Sequence, residues 1–267
     1  MSKSAPAKPP LRAAPVASDV NATPIATAWA HTARFLTTAS KLDELPATDL
    51  IEIAFVGRSN AGKSTAINTL SQQRRLAFAS KTPGRTQHIN LFELGPKGAP
   101  DALFADLPGY GYAAVERAAK LRWQVVMADY LAVRRSLSGV VLMVDSRLGF
   151  TDLDERLLRW IGPRLRTGEV KLLVLLTKAD KLTRQDAGQA LADAQVVLGK
   201  VGSDESDLSV SLFSALKKTG VNDVQAMLHA WAHTPRTVPV AVVDGEAVAP
   251  VDEAPDASPD VSLGALR

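Results

Sequence analysis

With 267 residues and 46% hydrophobic content, the chain has enough apolar material for one large domain with tails or for two small domains. It contains no cysteine, which excludes disulfides, thiolate metal sites and thiol nucleophiles. No apolar run reaches the length of a membrane span and the first ten residues hold no secretion-type apolar stretch, so a cytoplasmic protein without a membrane partner is expected. The net charge of +3 is unevenly spread: residues 235–267 carry two arginines against six carboxylates. The remainder is a basic body that suits a polyanionic partner, although a surplus of this size is common on surfaces that bind nothing.

Residues 1–24 are rich in Ala, Pro and Ser with few large apolar side chains, and are expected to be disordered. Arg34 to Ala39 can form a short strand, and Leu45-Pro46 breaks the chain before a strand expected over Ile51 to Val56. That strand runs into Gly57-Arg58-Ser59-Asn60-Ala61-Gly62-Lys63-Ser64, which reads G-x-x-x-x-G-K-S and is followed by Thr65. Glycines at this spacing let successive N–H groups point at phosphate oxygens, while Lys63 reaches the β- and γ-phosphates and Ser64 offers its hydroxyl to Mg²⁺. A helix expected over Ala61 to Leu70 adds its positive end.

The polar, basic segment from Gln72 to Asn90 contains Pro83-Gly84 and reads as a long mobile loop. Strands over Ile89 to Leu94 and Ala102 to Asp106 flank the turn Gly95 to Gly98. Ala119, Trp123, Val126, Tyr130, Val133 and Leu137 recur at steps of four and three, the signature of a helix with one buried stripe. Val140 to Val144 and Leu172 to Leu176 are continuously apolar, as in strands covered on both faces. Between and after them, helices are expected on the stripes Leu153-Leu157-Ile161-Leu165, Ala187-Leu191-Ala194-Leu198 and Val221-Val224-Leu228-Trp231, with a last strand over Leu208 to Phe213. This alternation predicts a three-layer, doubly wound, mostly parallel sheet with helices on both faces and its ligand site at the C-terminal strand ends. Residues 25–234 form that domain, and 235–267 are expected to be a disordered acidic tail.

Further signals fall at those strand ends. Asp106-Leu107-Pro108-Gly109 is a D-x-x-G, whose aspartate can hold Mg²⁺ through a water and whose Gly109 N–H can bond a γ-phosphate. Thr177-Lys178-Ala179-Asp180 is a variant of N-K-x-D. Its carboxylate accepts two hydrogen bonds from guanine that adenine does not offer, and the Lys178 stem can lie over the base. Ser214-Ala215 ends the last strand and can present an N–H to the guanine carbonyl, and Thr86 stands where a GTPase closes a threonine onto Mg²⁺.

These residues, with Lys81-Thr82-Pro83-Gly84-Arg85-Thr86-Gln87 and Asp106-Leu107-Pro108-Gly109-Tyr110-Gly111-Tyr112-Ala113, resemble the EngB/YsxC family of bacterial ribosome-assembly GTPases from about Thr32 to Trp231. The resemblance implies a GTP-hydrolysing switch of slow turnover, with Lys63, Thr86 and Gly109 at the reacting phosphate. It implies Mg²⁺ held by Ser64, Thr86 and, through water, Asp106, and a part in assembly of the large ribosomal subunit and hence in septation. A monomer whose partners are GTP, GDP and a ribosomal precursor is expected. Ala215 and Leu216-Lys217-Lys218 depart from the family's serine-rich loop. Where Ras-like GTPases place a water-orienting glutamine after D-x-x-G, this chain has Tyr110. A potassium ion at Asn60, as in related GTPases, is a candidate replacement, with a purely bracing Asn60 as the alternative.

The rival readings are a P-loop ATPase or kinase, against which Asp180 argues, and an RNA-binding scaffold with a vestigial nucleotide site. Arg74, Arg75, Lys81, Arg85, Arg117, Lys120, Arg122, Arg134 and Arg135 are candidates for RNA phosphates or for an ordinary solvated surface. Trp123 and Tyr130 are expected in the core, whereas Tyr110 and Tyr112 are open between partner contact and packing. His229 and His233 have a zinc-like spacing without an evident third ligand, and Asp145 with Arg147 is expected to hold a loop.

Overall fold

The computed structural model describes residues 22–78, 88–111 and 117–234, with the side chains of 117–123 outside that description. The elements in chain order are helix α1 (Ala22–Ala30) and strands β1 (Arg34–Ala39) and β2 (Ile51–Gly57), then α2 (Lys63–Leu70), β3 (Ile89–Leu94), β4 (Ala102–Asp106) and α3 (Arg117–Val133). They continue as β5 (Leu137–Asp145), α4 (Asp152–Arg166), β6 (Lys171–Thr177), α5 (Arg184–Val201), β7 (Leu208–Phe213) and α6 (Val221–His233). The expectations for residues 1–21 and 235–267, and those for Lys81, Arg85, Thr86 and Tyr112, lie outside the described residues.

The seven strands form one sheet in the order β1-β3-β4-β2-β5-β6-β7. β2 pairs in parallel with β4 and β5, and β6 pairs in parallel with β5 and β7. β3 runs antiparallel to β4 and to β1, so only this edge departs from the parallel rule. Alternate residues of the central strands face opposite cores, as the two-residue strand period requires. Ala54, Val56, Leu142 and Val174 meet Tyr130, Leu157, Ile161 and Leu198 on one face. Ile53, Phe55, Met143 and Leu175 meet Ile67, Leu70, Leu228 and Trp231 on the other. Both faces are covered, which is why these strands are apolar throughout.

Several element boundaries differ from expectation. Leu137 opens β5 rather than closing the α3 stripe, and Val133 is 65% exposed. The helical step of four carries across the short turn because a buried strand also begins with an apolar residue. The strand expected over Val140 to Val144 therefore spans Leu137–Asp145, and the helix expected from Ala61 starts at Lys63. Residues 22–24, placed in the disordered tail, are the first turn of α1. This helix docks on α6: the Trp29 indole donates to Asp101 (2.8 Å) and its ring meets His229 and His233 edge-on.

Candidate functional site

β2 ends and α2 begins six residues apart, so Arg58 to Gly62 form a loop at the C-terminal edge of the sheet. Asn60 (φ 65°) and Gly62 (φ 98°) take left-handed conformations that turn this loop back on itself. Gly62 caps α2 without a side-chain bond, so the first N–H groups of the helix remain open toward the loop. Lys63 is 8% exposed, with its Nζ 3.3 Å from the Gly57 carbonyl that it bonds. Thr65 and Asn60 are exposed, and Asn60 makes no side-chain hydrogen bond among the described residues.

Asp106 ends β4 beside this loop and is 1% exposed. The Ser64 hydroxyl donates to its Oδ2 (3.0 Å), whereas Oδ1 has no hydrogen-bond partner among the described residues. Burial raises the Asp106 pKa, opposed by the Lys63 charge and the Ser64 bond. Burial likewise lowers that of Lys63, opposed by Asp106. A desolvated ammonium and a desolvated, half-satisfied carboxylate thus stand side by side. A polyanion at the first and a hard cation at the second would relieve both. An orphaned carboxylate oxygen next to a hydroxyl fits Mg²⁺, which takes one or two protein oxygens and completes its shell with phosphates and water. Among the described residues, no group of three His, Cys, Asp or Glu is placed to hold a metal.

The D-x-x-G segment runs on from β4 along the loop. The Ser59 N–H donates to the Tyr110 carbonyl (2.8 Å) and the Tyr110 N–H to the Gly57 carbonyl (3.4 Å). Gly109 is pressed against the loop so closely that a Cβ there would lie 2.8 Å from Ser59 Cα and 2.9 Å from Lys63 Nζ. Only glycine tolerates this approach.

At the other end of the site, β6 delivers Thr177 to Asp180. The buried Thr177 hydroxyl points at the carbonyls of Ala61 (2.9 Å) and Val144 (3.1 Å), tying the phosphate-type loop to the neighbouring strands. Lys178 has φ 58° and its Nζ donates to Asp145 Oδ2 (2.8 Å). Asp145 also accepts from the Arg147 guanidinium (3.0 and 2.8 Å), and these bonds hold its pKa well below the usual carboxylate range. Asp180 accepts from the Ser214 hydroxyl (2.6 Å), with Lys181 at 3.6 Å from its other oxygen, and its pKa is lowered, first by the Ser214 bond. The Ser214 N–H is committed to Thr219 (3.1 Å), so the N–H available to a base is that of Ala215.

The structure therefore gathers the described candidates, Gly57 to Thr65, Asp106, Gly109, Thr177, Lys178, Asp180, Ser214 and Ala215, on one edge of the sheet. A cavity of about 190 Å³ lies behind the loop, between Arg58, Asn60, Gly149, Asp154 and Lys178. Thr86 lies outside the described residues. Arg134, a candidate for RNA contact, turns inward instead and pairs with Glu52 (2.8 Å). Arg74 and Arg75 are exposed. Sequence reasoning missed Asp154, which accepts from the Tyr110 hydroxyl (2.5 Å). Its only sequence signal was the Thr151-x-x-Asp154 capping spacing, which announces a helix start and not a tyrosine partner.

A family model described as "50S ribosome-binding GTPase" matches residues 52–178. A protein of Acidovorax ebreus described as "Probable GTP-binding protein EngB" is 62% identical over 205 residues, covering 77% of this chain and 90% of its own length. Its namesake from a Polaromonas species is 57% identical over 235 residues, covering 88% and 91%. The crystal structure of a "probable GTP-binding protein engB" superposes with a TM-score of 0.53 at 20% identity, covering 68% of this chain and 98% of that one, a likeness of fold. At the identity and coverage of these relatives, the chain belongs to the EngB family of P-loop, GTP-binding GTPases.

Proposed function

We propose that this GTPase is a nucleotide-dependent switch that assists assembly of the large ribosomal subunit in the cytoplasm, as a monomer, and is thereby needed for septation. The observation that carries the nucleotide half is that buried Lys63 and the carboxylate of Asp106, half-satisfied among the described residues, face the same loop. In this reading the loop N–H groups from Arg58 to Thr65 and Lys63 bind phosphates, and Gly109 senses the γ-phosphate. Asp180 and the Ala215 N–H read guanine, with Lys178 over the base. Ser64 and, through water, Asp106 hold Mg²⁺ with Thr86; when bound, the metal neutralises charge building up between the β- and γ-phosphates. Lys63, Thr86 and Gly109 act at the reacting phosphate. Asn60, exposed in the phosphate loop, is available for K⁺.

The ribosomal half rests on the matched family's description and on the exposed Arg74 and Arg75. Cosedimentation with ribosomal particles in GDP and in a non-hydrolysable GTP analogue tests it, with stronger association expected in the analogue. Equal, salt-insensitive sedimentation in both nucleotides would remove the switch. Particle association that survives Lys63→Ala unchanged would favour a scaffold. Single-turnover rates in KCl and NaCl, for wild type and Asn60→Ala, decide the place of potassium, which equal rates would exclude.

A further inference from the structure

Tyr110 touches two separate parts of the molecule. Its backbone is bonded on both sides to the phosphate-type loop, through Ser59 N–H and the Gly57 carbonyl. Its phenol reaches away to α4 and donates to Asp154 Oδ1 (2.5 Å). Asp154 is 1% exposed and stands in the first turn of α4, where Oδ2 accepts from the Thr151 N–H (2.8 Å) and the Thr151 hydroxyl (2.6 Å). The carboxylate is thus held by three donors from two segments, one of them Tyr110, 44 residues before Asp154 in the chain. Burial and the Asp154 charge push phenol ionisation well up, so the hydroxyl remains a donor.

We propose that the Tyr110–Asp154 bond is a latch that holds the D-x-x-G segment against the phosphate-type loop and so sets the preference between guanosine di- and triphosphate. The inference rests on the GTP-switch reading, in which a γ-phosphate accepts from both Lys63 and the Gly109 N–H. With the latch closed, Gly109 is packed so closely on Ser59 and Lys63 that even a Cβ would not fit between them. A γ-phosphate enters at that contact, so Gly109 withdraws, and Tyr110, next in the chain, withdraws with it. The phenol–carboxylate bond is therefore made in the diphosphate state and broken in the triphosphate state. An interaction present in one state alone shifts the equilibrium between them by its whole free energy. Asp154 acts through Tyr110 and is a positioning residue, and the rigid cap of α4 is what gives it purchase.

The test is titration of fluorescent GDP and a fluorescent non-hydrolysable GTP analogue, in Mg²⁺, against wild type and three variants whose folding is checked by thermal melting. Tyr110→Phe keeps the ring and removes the hydroxyl; losing a bond to a charged acceptor should move the affinity ratio toward the triphosphate by about five- to ten-fold. Asp154→Asn keeps an acceptor without its charge and should move it the same way by less. Thr151→Val removes a capping donor but leaves the latch, and should change the ratio by less than about two-fold. A Tyr110→Phe ratio within two-fold of wild type overturns the latch. So does an equal shift in Thr151→Val, which would assign the effect to helix capping. Failure of wild type to bind either nucleotide would instead sink the GTP reading on which the latch rests, so the two failures are distinguishable.

Discussion

Glu52 and Asp106 are buried carboxylates on the adjacent strands β2 and β4, at opposite ends of the sheet, and their surroundings differ in kind. Glu52, at the N-terminal strand ends, accepts from the Tyr130 hydroxyl, from Arg134 Nε (3.1 Å) and Nη2 (2.8 Å), and from the Ser136 hydroxyl (2.9 Å). Arg164 extends this end by donating to the carbonyls of Leu131 (2.9 Å) and Leu137 (3.1 Å). Among the described residues, Asp106 has one hydroxyl and leaves an oxygen bare. A buried charge with complete internal partners is a fixture of the fold, whereas one with incomplete partners is a place for something from outside. Asp180 lies between these extremes, bonded by Ser214 on one oxygen and offering the other to a weakly placed lysine.

The comparison breaks first at Glu52. Glu52→Ala leaves the buried Tyr130 hydroxyl without its acceptor and Arg134 with only the Pro46 carbonyl, and should cost about 3–5 kcal/mol in urea unfolding. A loss below about 1 kcal/mol would show that this end is no more structural than the other. Next comes Asp180→Asn, which should weaken GTP by about a hundred-fold, two charge-assisted bonds being lost, and gain xanthosine triphosphate in exchange. Undiminished GTP affinity in a nucleotide titration would contradict the base assignment.

Ser64→Ala sharpens the contrast at the phosphate end. It removes the one side-chain hydrogen bond that Asp106 accepts among the described residues, yet should lower unfolding stability by only about 1 kcal/mol. Mg²⁺-dependent nucleotide binding should meanwhile fall far more, and a variant that keeps full Mg²⁺ dependence would move the metal elsewhere. The smallest effect concerns Asp145, whose pKa is lowered on folding by Arg147 and Lys178. A lowered carboxylate pKa contributes stability above its unfolded value near 4, and that contribution fades as pH falls through and below it. Thermal melts of Asp145→Asn should therefore lie below wild type at neutral pH, with the gap constant down to about pH 4 and narrowing below it as pH falls toward the lowered folded-state value. Parallel curves across that range would mean that the ion pairs do not act on folding.

The legible parts of this protein were those whose meaning is written in adjacent residues. Gly57 to Ser64 specify a phosphate cradle because each glycine, the lysine and the hydroxyl act through backbone that lies within one turn. The apolar runs in β2, β5 and β6 specify strands covered on both faces, because nothing else accommodates such runs at that length. Where one short-range pattern had two solutions, reading failed: the step from Val133 to Leu137 fits a helix stripe, and only the packing of β5 beside β2 assigns Leu137 to the sheet. Arg134 looked like any surface cation until the fold set it over Glu52, 82 residues earlier in the chain.

Tertiary structure alone joined Thr177 to Ala61 across 116 residues, Tyr110 to Asp154, and Trp29 to Asp101. Side-chain hydrogen bonds of this reach depend on the strand order β4-β2-β5-β6 and on register, and neither is encoded in any local periodicity. The sequence by itself determined the chemistry available to this GTPase: the lysine, the hydroxyl and the carboxylates in their order along the chain. Which of its buried charges would be closed off and which left open was decided by packing, because whether a carboxylate is satisfied depends on the neighbours that the whole fold brings to it.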